Sequence, residues 1–419
     1  MTAANPARGK RFRSRIKGEW MTDAIRASEG ARLEVVDVLR GFALTGLFLV
    51  HMIECYELYW SVYPPKPSWV ADTVLLLFMG KSFSMLALCF GFSFFILMDR
   101  AARRGVDFTA RFAWRLAILV AIGTLHSWVY RGDIIQLLAL MGFVLLLFHR
   151  IKDNRVVAAL AALCFLGPTV IAQIIAAASG AEWANQLPRY FDDPAMQVYV
   201  NGDFGEALWA NLWSGQWSKW WFMLESGRVM LILGLYLTGM VLGRIGFFAR
   251  LGAFATARWI ALAVAAGVSL LLHFHRGDFV ESFAALGHGE AATRCFGALL
   301  GSWLELSGMA TWVLVLLAIY QSGARMLLRP FAWMGRLTLT LYIAQSLVFV
   351  PIFYGFGLGL WDDWDPTTRL IVGLAAVAAQ MLIAWGWLER YHYGPLEWAW
   401  RALTYRTWDI PFRRNRGTV

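Results

Sequence analysis

The sequence predicts an all-α fold: a polytopic membrane helix bundle of about ten transmembrane helices, N- and C-termini cytoplasmic. Three observations carry this. Of the 419 residues, 59% are hydrophobic and only 16% charged, less charge than a soluble chain of this size carries. Apolar runs near the length of about 20 residues that crosses a hydrocarbon core recur along the whole chain. Basic residues fall in alternate loops, which is how cytoplasmic loops are marked.

The elements follow in order. Residues 1–30 are basic and polar with no apolar core, so they read as a disordered cytoplasmic tail rather than a cleavable signal. The apolar runs lie near 35–54, 72–98, 112–130, 134–149, 156–178, 219–243, 258–274, 295–320, 331–354 and 369–390. With the N-terminus inside, the inner loops hold Arg100, Arg103, Arg104 and Arg111, then Arg150, Lys152 and Arg155, then Arg244 and Arg250, then Arg325 and Arg329. The C-terminal tail adds Arg401, Arg406, Arg413, Arg414 and Arg416, and the outer loops hold Glu54, Glu57, Asp192, Asp193, Asp203, Asp362, Asp363 and Asp365. The net charge of +10 thus reads as topology and contact with anionic lipid, not nucleic-acid binding.

Two regions inside 31–390 and after it are not plain spans. The outer segment 180–218 is rich in Trp, Asp and Gly, and Trp209, Trp213, Trp217, Trp220 and Trp221 recur near helical spacing. It is either an interfacial helix in an aromatic belt or a lid over an outer site. Residues 391–419 are aromatic and basic and belong at the inner interface, with Glu397 and Arg401 one turn apart and expected to pair. Cys55 and Cys295 both fall near outer span ends, so a bridge between them is left open. No metal-binding signature occurs.

The candidate site residues are polar groups inside apolar runs, which are costly in lipid and mark function or interhelical bonding. Arg40 and His51 share one helix face, eleven positions and roughly 16 Å apart. Asp37 and Arg40 either pair locally or leave Arg40 to hold an anionic group from the cytoplasm, a task suited to its planar fork. His51 is either a satisfied hydrogen-bond partner or a general base needing a carboxylate or carbonyl orienter, with Glu54 three residues on. Lys81 lies in an outer half-span and needs a partner such as Glu225. Glu225 and Arg228 lie together in the sixth span, and Glu305, Tyr342 and Gln345 sit at mid-span. These five and Lys81 are candidate substrate-binding residues. His126 and Asp133 flank a tight outer turn, where Asp133 is a natural helix cap.

The stretches VVDVLRGFALTGLFLV, GKSFSMLALCFGF and GTLHSWVYRGDIIQLLALMG, with MGRLTLTLYIAQSLVFVPIFYGFGLG and GPLEWAWRALTY, resemble the YeiB-like bacterial inner-membrane proteins, the last two matching their C-terminal domain of unknown function. That family is similar, more distantly, to transmembrane acyltransferases: the type-3 acyltransferases and the lysosomal heparan acetyltransferase. The type-3 group carries an Arg, ten residues and an essential His in its first span, as Arg40 and His51 do, although many YeiB-like members have Asn at the His51 position. The resemblance implies a multi-pass inner-membrane acyltransferase. Acyl-coenzyme A, acetyl first among the acyl groups, would enter from the cytoplasm and a small-molecule, glycan or lipid acceptor from outside. Arg40 and His51 match the type-3 motif; His126 and Asp133 match family positions without an assigned role, and with Asp37 they complete the candidate catalytic set. No metal is implied. Membrane lipids are the expected partners, and a homodimer is left open. The second expectation is a transporter or exporter, since mid-membrane ionisable groups also serve transport; the third is a non-catalytic lipid-binding or assembly protein.

Overall fold

The computed structural model describes residues 33–61, 67–191 and 193–414. The expected tail over 1–30, Asp192 and Arg416 lie outside them. Every element is helical, and no strand occurs among the described residues, only an isolated antiparallel bridge between Tyr391 and Arg413. In chain order the helices are α1 (Glu34–Ile53), α2 (Trp69–Phe78), α3 (Lys81–Ala102), α4 (Thr109–Ser127), α5 (Ile134–Phe148), α6 (Asn154–Phe165), α7 (Pro168–Ala178), α8 (Glu182–Asn185) and α9 (Ala195–Asn201). Then come α10 (Phe204–Leu212), α11 (Ser214–Glu225), α12 (Arg228–Arg244), α13 (Ala255–Ala285), α14 (Glu290–Gln321), α15 (Arg329–Arg336), α16 (Thr338–Phe353), α17 (Pro366–Arg390) and α18 (Pro395–Tyr405).

Against the ten spans expected, six helical segments are long and apolar enough to cross a membrane, or up to eight if two bent pairs count as spans. The difference has local causes. The run 219–243 breaks at Gly227, where α11 and α12 meet at 66°, and 331–354 breaks at Leu337, where α15 and α16 meet at 78°. The run 156–178 changes helix before Pro168, which supplies no amide to a continuing helix, yet α6 and α7 together still count as one of the six. α5 has only 15 residues.

α1 is the axis of the bundle: 89% of its most apolar window is buried inside the protein, against 11–28% for the spans built on α6–α7, α13, α14 and α17. Small residues let it sit there. A Cβ on Gly41 would lie 1.8 Å from the Phe331 carbonyl oxygen, and one on Gly335 1.8 Å from that of Asp37, so the backbones of α1 and α15 touch. A hydrogen at these positions is a condition for Arg40 to lie where it does.

The segment 180–218, expected outside, is three short helices, α8 to α10, and the start of α11. Asp203 and Glu206 close a capping box at the start of α10. The segment is tied down by Tyr199, whose hydroxyl donates to Asn211 Oδ1 at 2.8 Å, and by Asn211 Nδ2 donating to the Trp128 carbonyl at 2.8 Å. Trp209, Trp213 and Trp217 face outward. All four cysteines are free: Cys55 Sγ lies against the Trp361 carbonyl and Cys295 Sγ against Gln173, so the bridge left open between them is not formed.

Candidate active site

Two polar regions are stacked along α1. The inner one is a cavity of about 220 Å³. Its lining carries four arginines, Arg40, Arg115, Arg336 and Arg401, and its only carboxylate among the described lining residues is Glu397. The rest of the lining is largely apolar, with Leu86, Phe90, Leu116, Leu119 and Leu138 among it, and it includes Ile134 and Tyr342. Glu397 caps the start of α16, accepting from Leu339 N at 2.7 Å, Thr340 N at 3.1 Å and Thr340 Oγ1 at 2.5 Å. The expected Glu397–Arg401 pair is thereby replaced: orphan amides at a helix start bind a carboxylate more firmly than one flexible neighbour on the same helix. The Arg401 guanidinium instead lies 4.4 Å over the Tyr393 ring, and that of Arg115 lies 3.5 Å over Trp400.

The outer region is a layer of buried rings. His126 and Asp133, 5% and 1% exposed, meet across the tight turn with Nδ1 2.7 Å from Oδ1. Asp133 also caps α5, its Oδ2 accepting from Gln136 N at 2.7 Å, as the sequence suggested. Gly123 makes room: a Cβ there would lie 2.8 Å from Asp133 Oδ2. His126 donates Nδ1–H to the carboxylate, which leaves the lone pair on Nε2. That nitrogen is buried and has no hydrogen-bond partner among the described residues. Nearby, Lys219 Nζ donates to Gln136 Oε1 at 2.9 Å.

His51 belongs to the same layer. Its Nδ1 lies 3.3 Å from the Tyr130 hydroxyl, which donates to Glu57 Oε1 at 3.5 Å. A hydroxyl that donates to Glu57 accepts from His51, which again leaves an unpartnered Nε2 lone pair. The Tyr130 ring packs against both imidazoles, with centroids 5.3 Å from His51 and 6.4 Å from His126. The turn that follows α1 is left-handed over three non-glycine residues, Cys55, Tyr56 and Glu57 (φ +48°, +51° and +84°). Such backbone is sparsely populated, and where it clusters at a site it is held by its surroundings. Here it folds the Tyr56 ring back to stack on His51 at 5.2 Å and turns Glu57 to pair with Arg131. Arg131 also pairs with Asp193 of the outer segment.

The two regions adjoin at Tyr342. Its hydroxyl accepts from Ile134 N at 3.1 Å, and its ring lies 5.2 Å from that of His126. Arg40 lines the cavity and His51 does not; the imidazole that packs against the lining residue Tyr342 is His126. The orienter proposed for His51 is also different: Glu54 is buried and accepts from Trp60 Nε1 at 2.8 Å.

The remaining predicted residues form separate structures. Lys81, Arg228 and Glu305 gather where the break between α2 and α3 faces the start of α12. Arg228 Nη2 is 3.3 Å from Glu305 Oε1, and a Cβ on Gly80 would fall 2.0 Å from the Glu305 carboxyl carbon. Lys81 Nζ donates to the Met79 carbonyl at 3.4 Å and its stem lies along Gly308. Its expected partner Glu225 instead accepts from Arg189 N at 3.0 Å. Gln345 donates to Gln380 Oε1 at 2.7 Å, and Asp37 is buried at the α1–α15 contact.

Sequence reasoning missed Tyr130 and Arg131 as site residues, though both stand in the motif that carries His126 and Asp133. It missed Arg115, whose signal was a second arginine one turn after Arg111. It also missed Arg336 and Trp400, which nothing in their own segments singles out.

Residues 32–201 match the family model described as heparan-alpha-glucosaminide N-acetyltransferase, catalytic. Residues 242–407 match a model described as a protein of unknown function, DUF418. The chain is also similar over its length to three bacterial proteins described as uncharacterized. It is 28% identical to YxaH of Bacillus subtilis (90% of this chain, 95% of the relative) and 24% to YeiB of Escherichia coli K12 (88% and 96%). To a 39.9 kDa protein of the amylase 3' region of Bacillus acidopullulyticus it is 23% identical (89% and 94%).

Proposed function

From a chain that is YeiB-like along its length and matches a heparan N-acetyltransferase catalytic model over its first half, we propose a multi-pass acyltransferase of the bacterial inner membrane. It would move an acyl group from a cytoplasmic acyl-coenzyme A to a hydroxyl or amine presented at the outer face. The observation that carries this is the buried His126–Asp133 pair, with an Nε2 unpartnered among the described residues, packed against Tyr342 of a cavity lined by four arginines.

The mechanism follows from those positions. Arg40 and its neighbours hold the anionic end of the donor, and the acyl thioester lies in the apolar body towards Tyr342. Rotation of the Tyr342 ring brings the thioester carbonyl to His126. Nε2 takes the proton from the acceptor hydroxyl or amine as its oxygen or nitrogen bonds to the carbonyl carbon. Asp133 holds the tautomer and stabilises the imidazolium. The carbon–sulfur bond then breaks, and the thiolate takes the proton from His126 and leaves as the thiol. His51, oriented by Tyr130, orients the acceptor from the other side of the layer. This reassigns the base from His51 to His126, because only His126 has a carboxylate on its second nitrogen.

The test is turnover of radiolabelled acetyl-coenzyme A by the full chain in lipid nanodiscs, with a panel of amines, sugars and lipids as acceptors. Label transfer and thiol release lost in His126→Ala support the reading. Full transfer by His126→Ala removes the base. A transporter is the second reading, favoured by the 66° and 78° breaks in two spans, since broken helices at depth line substrate paths. Solute uptake into proteoliposomes without thioester consumption would establish it.

A further inference from the structure

We propose that the helix α18 and the α15 terminus, both in the region matching a family of unknown function, form the phosphate-reading wall of the inner cavity. On this assignment the cavity takes a ligand ending in phosphate groups, and it needs both matched halves of the chain to do so. The inference rests on the acyltransferase reading for what the rest of that ligand is, but not for its phosphates.

The charge balance points to the ligand. Arg40 and Arg115 come from the first matched region, Arg336 and Arg401 from the second, and all four line one cavity. The single carboxylate in that lining is engaged by three hydrogen bonds from the start of α16. Clustered guanidiniums repel one another, and their fork geometry suits phosphate oxygens in pairs.

Two of the four are also preset. Arg115 is stacked at 3.5 Å on Trp400, and the Trp400 indole donates back to the Arg115 carbonyl at 2.9 Å. Arg401 is stacked on Tyr393. Stacking fixes the plane of a guanidinium and leaves its edge for hydrogen bonds. The cavity's volume, about 220 Å³, suits a slender arm rather than a whole nucleotide, so the charged groups would remain at the mouth. Glu397 positions the wall by anchoring α18 to the first turn of α16.

Phosphate could also come from an anionic lipid headgroup at the inner interface, so the test separates the two sources. Binding of coenzyme A, dephospho-coenzyme A, pantetheine and inorganic pyrophosphate is measured by calorimetry on the full chain, in nanodiscs of zwitterionic lipid and again with phosphatidylglycerol. Arg401→Ala and Arg115→Ala are compared with Arg401→Lys, with the melting temperature of each checked. The expected result is coenzyme A binding in zwitterionic lipid, weakened about tenfold or more by either alanine variant, with Lys between. Pantetheine binding would be weak and unchanged by the variants.

Coenzyme A binding that is equal in wild type and folded variants overturns the proposal. So does competition by phosphatidylglycerol that abolishes binding, which gives the site to lipid, and so does a wild type that binds none of the probes. Pyrophosphate binding lost in Arg401→Ala, with no coenzyme A binding, keeps the phosphate site and removes the acyl-coenzyme A reading.

Discussion

His126 Nδ1 lies 2.7 Å from Asp133 Oδ1 across a turn of six intervening residues, and the second oxygen of the same carboxylate caps the helix that follows. One side chain therefore fixes both the imidazole and the backbone that carries it. Asp133→Asn separates the two tasks. The amide oxygen still caps Gln136, but its NH2 group cannot accept from Nδ1–H, so the imidazole turns to the wrong tautomer. Acyl transfer should fall about 10²- to 10⁴-fold with little change in melting temperature. A variant that keeps wild-type transfer would show that the pair is structural.

The two imidazoles should respond unequally. His126→Ala removes the base, whereas His51→Ala removes a group that orients the acceptor. His51→Ala should raise the acceptor KM about tenfold and leave thioester binding unchanged. An equal collapse of kcat in both variants would instead make the layer a two-base site.

Arg131 is buried between Glu57 and Asp193, which joins the turn after α1 to the outer segment. Arg131→Ala leaves two carboxylates facing each other with no cation. Breaking a buried pair by removing one partner costs about 3–5 kcal/mol. The melting temperature should drop, and residues near 181–213 should become open to protease from the outer side first. Protection equal to wild type would mean that Tyr199 and Asn211 hold the segment alone.

How much of this was legible in the sequence depends on where each constraint acts. The all-helical class was legible because it is a property of composition. Arg40, His126 and Asp133 were legible because polar side chains are conspicuous in apolar runs. What could not be read was which of them meet. Glu225 and Lys81 occur at similar depths, yet Glu225 turns to Arg189 because α11 bends away from α12 at Gly227. A bend of that kind is set by one glycine with φ +73°, and hydropathy is blind to it. Arg336 and Trp400 reach the cavity only through tertiary contact of α15 and α18 with α1 and α4, which no local pattern encodes.

Glu54 gives the pH dependence. Burial holds its carboxyl up to about 7 from 4.5, with Glu57 adding to the effect and the Trp60 hydrogen bond and Arg228 opposing it. The folded pKa lies above the unfolded one, so the folded protein holds this proton more tightly. The stability it contributes is complete below about pH 4.5 and is lost as pH rises through about 7. Glu54→Gln keeps an acceptor for Trp60 Nε1 and removes the titration. The variant should match wild type at pH 5 and exceed it at pH 8, by at most about 3 kcal/mol. Melting curves that stay parallel across that range would assign the pH response to another group.

The α1–α15 contact makes the last prediction. A methyl on Gly335 would fall 1.8 Å from the Asp37 carbonyl oxygen, and the atom it meets is backbone. No side-chain rotation relieves that overlap, so the helices must separate. Overpacking where neighbours can adjust costs about 1–3 kcal/mol, and a rigid backbone contact belongs at the upper end or beyond. Gly335→Ala should therefore lower the melting temperature sharply and also weaken donor binding, because the displaced α1 carries Arg40 away from Arg115 and Arg401. Gly386→Ala is the control: it lies in α17 with no atom within 4 Å of an added Cβ, and alanine in a helix interior is neutral to slightly stabilising. If both variants melt alike, the close approach of α1 and α15 is not what seats Arg40 in the cavity wall.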